Sequence, residues 1–309
     1  MHFFRRIATV FVAVFLLCFY CANPACSEPL SVTVVLSENS GAYLEFSNAL
    51  RENLRRKNIT PHVIEYPAVP SAKSALVISV GMKAATVIAA SNVPAVLNVL
   101  IPKSGYEKLL HDYPQRAHSK NYSAIFLDQP LARQANLIVA ALPGRQRIGV
   151  LYSNAQGELA QLTQVLKERK LGLYEQAVSP ALPLHEALQN LLKDSEVLLA
   201  LPDAEIYNSS TIRNILLATY RSSIPLIGFS SGYVKAGALC AIYSTPEQLA
   251  AQAASLIKKF SETQAIPSAQ YPHEFEVAVN EQVARSLGLR LKSAAGLQDA
   301  VQALERNEP

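Results

Sequence analysis

The sequence predicts an α/β protein of two Rossmann-like lobes, each built on a parallel sheet, joined by a multi-crossing hinge. Three features carry that expectation. Short apolar runs alternate with amphipathic segments from residue 32 onward, the signature of βαβ units. The pattern stops at Pro143 and Gly144 and then starts again. Enough chain follows the second half to recross to the first.

Taken in order, residues 32–36 (VTVVL) read as a strand and 37–41 as a polar turn. Tyr43, Phe46, Leu50 and Leu54 then fall on one face of a helix. Strands at 63–66 and 75–80 follow, the latter ending at Gly81 before an alanine-rich helix over 82–90. Strand 95–101, helix 103–112 and strand 123–127 complete the first half, which closes at Asp128, Gln129 and Pro130. A helix with Leu131, Ala135, Ile138 and Leu142 on one stripe opens the second. There the alternation repeats: strands at 147–152, 173–178, 196–201 and 225–229, with helices at 158–170, 184–193 and 205–221. Beyond Gly237 come an apolar stretch to Tyr243, a helix over 246–260, a strand over 275–279 and one or two terminal helices. The expected division is an N-terminal lobe at 28–129 and a C-terminal lobe at 130–240. Residues 241–309 are the returning segment that completes the first lobe and the hinge and carries the C-terminal helices.

Ahead of all this, Arg5 and Arg6 precede an apolar run over residues 7–21, followed by Asn23, Pro24, Ala25, Cys26 and Ser27. That run is shorter than the roughly 20 residues of a membrane-spanning helix, so residues 1–27 read as a secretory signal peptide cut after Ser27. Its removal takes two arginines and no acidic residue from a formal charge of +4, leaving no electrostatic footprint for nucleic acid. Cys18, Cys21 and Cys26 leave as well, and Cys240 alone cannot form an internal disulfide. The six histidines show no H-x-x-x-H or H-x-H spacing, so no metal is expected. Gly232 and Gly237 have P-loop separation, but Ala238 stands where the phosphate-binding lysine belongs, and no G-x-G-x-x-G follows a strand. No cofactor is expected.

In open parallel sheets, ligands sit outside the carboxyl ends of the strands, and two facing lobes aim those ends at one cleft. Candidate ligand-binding residues at such ends are Ser37, Asn39, Ser40 and Tyr43; Gly81, Met82 and Lys83; Ser153 and Asn154; Asp203 and Tyr207; Ser230 and Tyr233. Ser, Asn and Asp at these places also suit helix caps for local reasons. Lys83 opposes the dipole of its helix, which points to an anionic group nearby. Helix N-termini near Ser40 and Met82 offer N–H groups to an anion, while Asp203 can accept from an amine or hydroxyl. The string Gly228-Phe229-Ser230-Ser231-Gly232 has nucleophile-elbow spacing between strand and helix. A serine esterase also needs an acid and a histidine, and His273 with Glu247 and Glu262 are all that follow in range, so a serine and glycine turn is the preferred reading.

Residues 195–254, SEVLLALPDAEIYNSSTIRNILLATYRSSIPLIGFSSGYVKAGALCAIYSTPEQLAAQAA, resemble ABC-transporter substrate-binding proteins of the type I periplasmic-binding fold, in the branch that includes tryptophan and other aromatic amino-acid binders. LPGRQRIGVLYS at 142–153 and NEQVARSLGL at 280–289 are similar to that family's entry to its second lobe and its closing segment. The resemblance covers most of residues 75–292, and Leu201-Pro202-Asp203 together with Gly237-Ala238-Leu239 is its most specific part. It departs in the first lobe: residues 38–43 replace a histidine-proline-alanine-leucine-aspartate-like run, Gly81-Met82 replaces glycine-threonine, and Tyr122-Ser123-Ala124 replaces a threonine-glycine turn. The resemblance implies a type I periplasmic-binding-protein-like fold and a secreted, periplasmic monomer without enzymatic activity. It implies closure on a small molecule and delivery to an ABC permease. Two alternatives stand beside it: a ligand-sensing subunit coupled to a signalling partner, and a serine esterase using Ser230.

Overall fold

The computed structural model describes residues 30–57, 59–71, 74–153 and 156–307. The segment expected to be a signal peptide, with Cys18, Cys21 and Cys26, and the candidate Asn154 lie outside the described residues. Two sheets organise the chain. The first runs β2-β1-β3-β4-β5, all parallel: β1 (Val32–Leu36), β2 (His62–Glu65), β3 (Leu76–Val80), β4 (Val96–Ile101) and β5 (Tyr122–Phe126). Strands β1, β3, β4 and β5 are buried along their whole length, as their largely apolar runs require of a sheet covered on both faces, and the one polar residue in each, Thr33, Ser79, Asn98 and Ser123, is hydrogen-bonded. Its helices are α1 (Gly41–Arg55), α2 (Met82–Ala90), α3 (Lys103–Asp112) and the single turn α4 (Pro114–Ala117).

The second sheet runs β11-β10-β9-β8-β6-β7. Strands β6 (Arg147–Tyr152), β7 (Gly172–Ala177), β8 (Val197–Leu199), β9 (Leu226–Gly228) and β10 (Cys240–Tyr243) are parallel, and β11 (Glu276–Val279) pairs antiparallel with β10. Around it lie α5 (Leu131–Ala141), α6 (Gln156–Glu168), α7 (Leu184–Asp194), α8 (Ile212–Arg221) and α9 (Ser231–Ala236). Strands β7-β6-β8-β9-β10 repeat the order of the first sheet, so the second half repeats the first, with one antiparallel strand added.

The chain passes between the sheets three times: at residues 127–130, at 244–245 between β10 and α10 (Pro246–Thr263), and over 270–275. Helix α10 packs along α1 of the first lobe, started by a capping box between Thr245 and Gln248 with Pro246 in the first turn. The segment after it covers the open edge of β5, where Gln270 N donates to Ala124 O and Phe126 N donates to Gln270 O. The stretch 241–309, expected to complete the first lobe and the hinge and to carry the C-terminal helices, divides between the lobes. Only α10 and the segment to Tyr271 join the first sheet, while β10, β11, α11 (Glu281–Ser286) and α12 (Ala294–Arg306) belong with the second. Leu297 and Val301 of α12 decide this by burying themselves in the same core as Ala135, Leu137 and Ile138 of α5.

The helix expected over 205–221 begins only at Ile212. Asn208 Oδ1 accepts from Ser210 N, and Thr211 Oγ1 accepts from Asn208 N, so local side chains satisfy the backbone that a helix would have used.

One buried charge anchors the first lobe. Arg116, 6% exposed, donates to the carbonyls of Ile88, Ala89, Ser91 and Val93, closing the C-terminal end of α2, and its guanidinium lies 5.4 Å from the centre of the Tyr122 ring. Burial holds its pKa below the ordinary arginine value, with Tyr122 opposing. Arg116→Met keeps the apolar stem and orphans those carbonyls, so urea unfolding should show a loss on the order of 3 kcal/mol. An unchanged midpoint would mean that water replaces the guanidinium at no cost.

Candidate functional site

Each sheet reverses its winding at one place. In the first sheet that place lies between β1 and β3, and in the second between β6 and β8. At such switch points neighbouring helices leave to opposite faces and open a crevice at the strands' carboxyl ends. The chain puts Ser37 and Gly81 at the first crevice and Ser153 and Asp203 at the second.

At the first, Ser37 is buried, its N–H donates to Val80 O and its Oγ accepts from Ala84 N at 3.0 Å. The residue therefore stitches β1 to β3 and to the first turn of α2, and occupies one of the N–H groups expected to await an anion. Gly81 has φ +84°, and a Cβ there would lie 2.6 Å from Ser37 Oγ and 2.8 Å from the Tyr43 ring, so glycine is required both by conformation and by close approach. Tyr43 is half-buried, and burial, with Glu38 adding, lifts its pKa. Ser40 precedes α1 and its Oγ donates to Glu38 Oε1 at 3.0 Å, while Asn39 and Lys83 are exposed. Met82 turns away to pack on Gly105 of α3. Ser37, Tyr43 and Gly81 thus form one cluster, and among the described residues no hydrogen bond draws Asn39 or Lys83 into it.

At the second, Asp203 is already engaged. Its Oδ2 accepts from Ser153 N at 2.9 Å and Ser153 Oγ at 2.7 Å, and its Oδ1 accepts from Glu205 N at 3.0 Å. The carboxylate ties the end of β6 to the loop after β8 and caps the turn that follows, a use the residue type alone leaves open. Tyr207, a candidate ligand-binding residue, is 5% exposed and packs edge-on against Phe229 and Tyr233, with centroids 6.1 and 6.4 Å away. Its neighbours Ile206 and Ile215 belong to the same apolar core. Tyr233 is half-buried and donates from its hydroxyl to Tyr207 O at 3.1 Å. Ser230 stands at the N-cap of α9 without a side-chain capping bond.

The structure adds a charged group that strand-end reasoning passed over. Lys103, the first residue of α3 after β4, donates its N–H to Asp128 Oδ2 at 2.6 Å, while its ammonium lies 3.8 Å from Glu107 and 5.9 Å from the centre of the Tyr271 ring. Glu158, in the first turn of α6 on the other lobe, interacts electrostatically with Lys103 and Asp128, and also with Asp203. The carboxyl ends of β4 and β5 therefore face those of β6 and β8. Burial lowers the pKa of Lys103, but Tyr271, Glu107 and Glu158 outweigh it and the net shift is upward. Burial likewise lifts Glu158, with Lys103 opposing and Glu107 and Asp203 adding. The sequence signal was available: Asp128 and Lys103 each stand directly beyond a strand, as the chosen candidates do.

Asp128 is 4% exposed, and burial, reinforced by Glu158 and opposed by the Lys103 N–H, pushes its pKa up to about 7. Because the folded chain holds this proton more tightly than the unfolded chain, stability declines as pH rises from the ordinary carboxylate range to about 7 and levels off above it. Asp128→Asn retains an acceptor for the Lys103 N–H and abolishes the titration. Urea unfolding at pH 5 and pH 8 should show the wild type losing about 2 kcal/mol more than the variant over that interval, and equal losses would mean that Asp128 stays ionised throughout.

Comparison with known proteins follows the same lines. The family model for ABC transporter substrate binding protein matches residues 70–301. No curated protein matches the sequence. Among solved structures, a conserved domain protein from Vibrio cholerae O1 biovar El Tor superposes with a TM-score of 0.64 at 18% identity, covering 89% of this chain and 98% of that one. An ABC domain in complex with L-Trp from Streptococcus pneumoniae gives 0.64 at 14% identity, over 88% and 98% of the two chains. The ligand-free, open form of CD0873, a substrate-binding protein with adhesive properties from Clostridium difficile, gives 0.64 at 16%, over 85% and 96%. At these identities the structures speak to the fold, which is that of type I periplasmic binding proteins. The family model spans well over half of the sequence, including both strand ends of the second crevice, and this chain belongs to the ABC transporter substrate-binding protein family.

Proposed function

We propose that the protein is a secreted, periplasmic, monomeric solute-binding protein whose lobes close on a small molecule and present it to the permease of an ABC transporter. The observation that carries this reading is the facing pair of switch-point crevices, one furnished by Ser37, Tyr43 and Gly81, the other by Ser153 and Asp203. Residues 1–27 are the export signal in this reading, and the described residues contain no helix long and apolar enough to cross a membrane. Glu158 and Asp203 outnumber Lys103 where the lobes meet, which favours a ligand carrying an amine. Free amino acids are the first class to test, since a protein of the same fold holds L-Trp.

A thermal-shift screen of amino acids, nucleosides and small acids tests the reading. A ligand at 100 times its Kd should add about 2.7 kcal/mol to the folded state and raise the melting temperature accordingly. A full screen without a shift, under conditions where a tight binder of this fold responds, would count against a free small molecule as the ligand.

Hydrolysis is the competing chemistry at Ser230. Among the described residues no histidine bonds to Ser230 Oγ, and His273 lies instead beside Gln252, whose Oε1 accepts from its backbone N–H. The purified protein should leave short acyl esters intact, in wild type and Ser230→Ala alike. Turnover abolished by that substitution would replace binding with catalysis as the function.

A further inference from the structure

The three passages between the lobes are not independent strings. Gln129, in the first, donates from Nε2 to Ser244 Oγ in the second at 2.9 Å, and Ser244 Oγ donates to the carbonyl of Glu274 in the third. Arg133, in the first turn of α5, closes the circuit. Its Nη1 donates to Gln129 Oε1 at 2.9 Å and to Pro272 O at 3.2 Å. The guanidinium lies 4.3 Å from the centre of the Phe275 ring. Arg133 is 8% exposed, and its charge is met by Glu305 of α12, whose Oε1 accepts from Nε at 2.5 Å.

From this geometry we infer that Arg133 clamps the three passages into a single plate, and that the C-terminal helix, through Glu305, holds the clamp in place. Three separate linkers would let the lobes both bend and twist, because each absorbs its own changes in φ and ψ. Cross-linked linkers must turn together, which leaves bending as the soft motion. An unpaired guanidinium at this depth is strongly unfavourable, so the clamp depends on Glu305 remaining docked. Leu297 and Val301 hold α12 against the second lobe, and Gln298 Nε2 donates to Phe275 O at 3.0 Å beside the third passage. The C-terminal helix is on this account a part of the hinge rather than an appendage of one lobe.

The inference rests on the two-lobed closing protein proposed above, and inter-lobe distances separate the two. Nitroxide labels at Glu45→Cys on α1 and Glu186→Cys on α7, both exposed, report the lobes' relative position. The background carries Cys18, Cys21 and Cys26 as serine, and Cys240 is fully buried. In the absence of ligand, Arg133→Met should roughly double the width of the distance distribution measured by double electron–electron resonance. Gln129→Ala, which cuts the tie between the first two passages without uncovering a charge, should broaden it in the same direction. Arg116→Met is the control, since it removes a buried arginine remote from the passages and should lower stability without widening the distribution. A wild-type width in Gln129→Ala and Arg133→Met, or equal widening in Arg116→Met, overturns the clamp. Wild-type distances that no compound in the screen alters, together with widening in the two hinge variants, would sink closure on those ligands and leave the clamp standing.

Discussion

A parallel sheet sandwiched between helices has apolar faces and satisfied edges, so polar groups that are not paired within the sheet collect where the strands end. In this protein that constraint does most of the positional work. Strands β1, β3, β4 and β5 are buried residue by residue, and Ser37, Gly81, Lys103 and Asp128 appear within two residues of their carboxyl ends. The second sheet repeats the arrangement with Ser153 and Ser230, and sets Asp203 in the loop after β8. Because both sheets wind in the same order, both present a crevice of the same kind.

Holding the lobes together raises a different problem, since the crossing chain must place polar backbone between two apolar cores. Buried side chains meet this in a consistent way. Ser123 Oγ donates to Pro267 O, fixing the returning segment to β5, and Asn98 Nδ2 donates to Ser123 O from the neighbouring strand. Arg133, Gln129 and Ser244 do the same for the passages themselves. Each of these groups would be costly if unpaired in the interior, so the bonds that satisfy them also fix where the backbone runs.

How much of the site could be read in advance depends on whether a residue's use is local. Ser37 and Gly81 were legible because a strand end followed by a helix start is a local pattern, and the close approach of Tyr43 then explains the glycine. The packing of Tyr207 was not legible, because nothing in its neighbourhood reveals that the following segment turns away from helix at Asn208 and sets the ring against Phe229 and Tyr233. Glu158 was missed for the converse reason: a glutamate in the first turn of a helix looks like a response to the helix dipole until Lys103 and Asp128 arrive from the other lobe.

The sequence by itself determined the alternation of strands and helices, the restart that makes two lobes, and the family, because apolar periodicity and short motifs are written along the chain. Tertiary structure alone decided that β11 and α12 join the second lobe, that Asp203 is committed to Ser153 and Glu205, and that Arg133 meets Glu305 across the whole second half of the chain. Those outcomes rest on contacts between residues far apart in sequence, where burial and electrostatics set a side chain's role only after the backbone has brought its partners together.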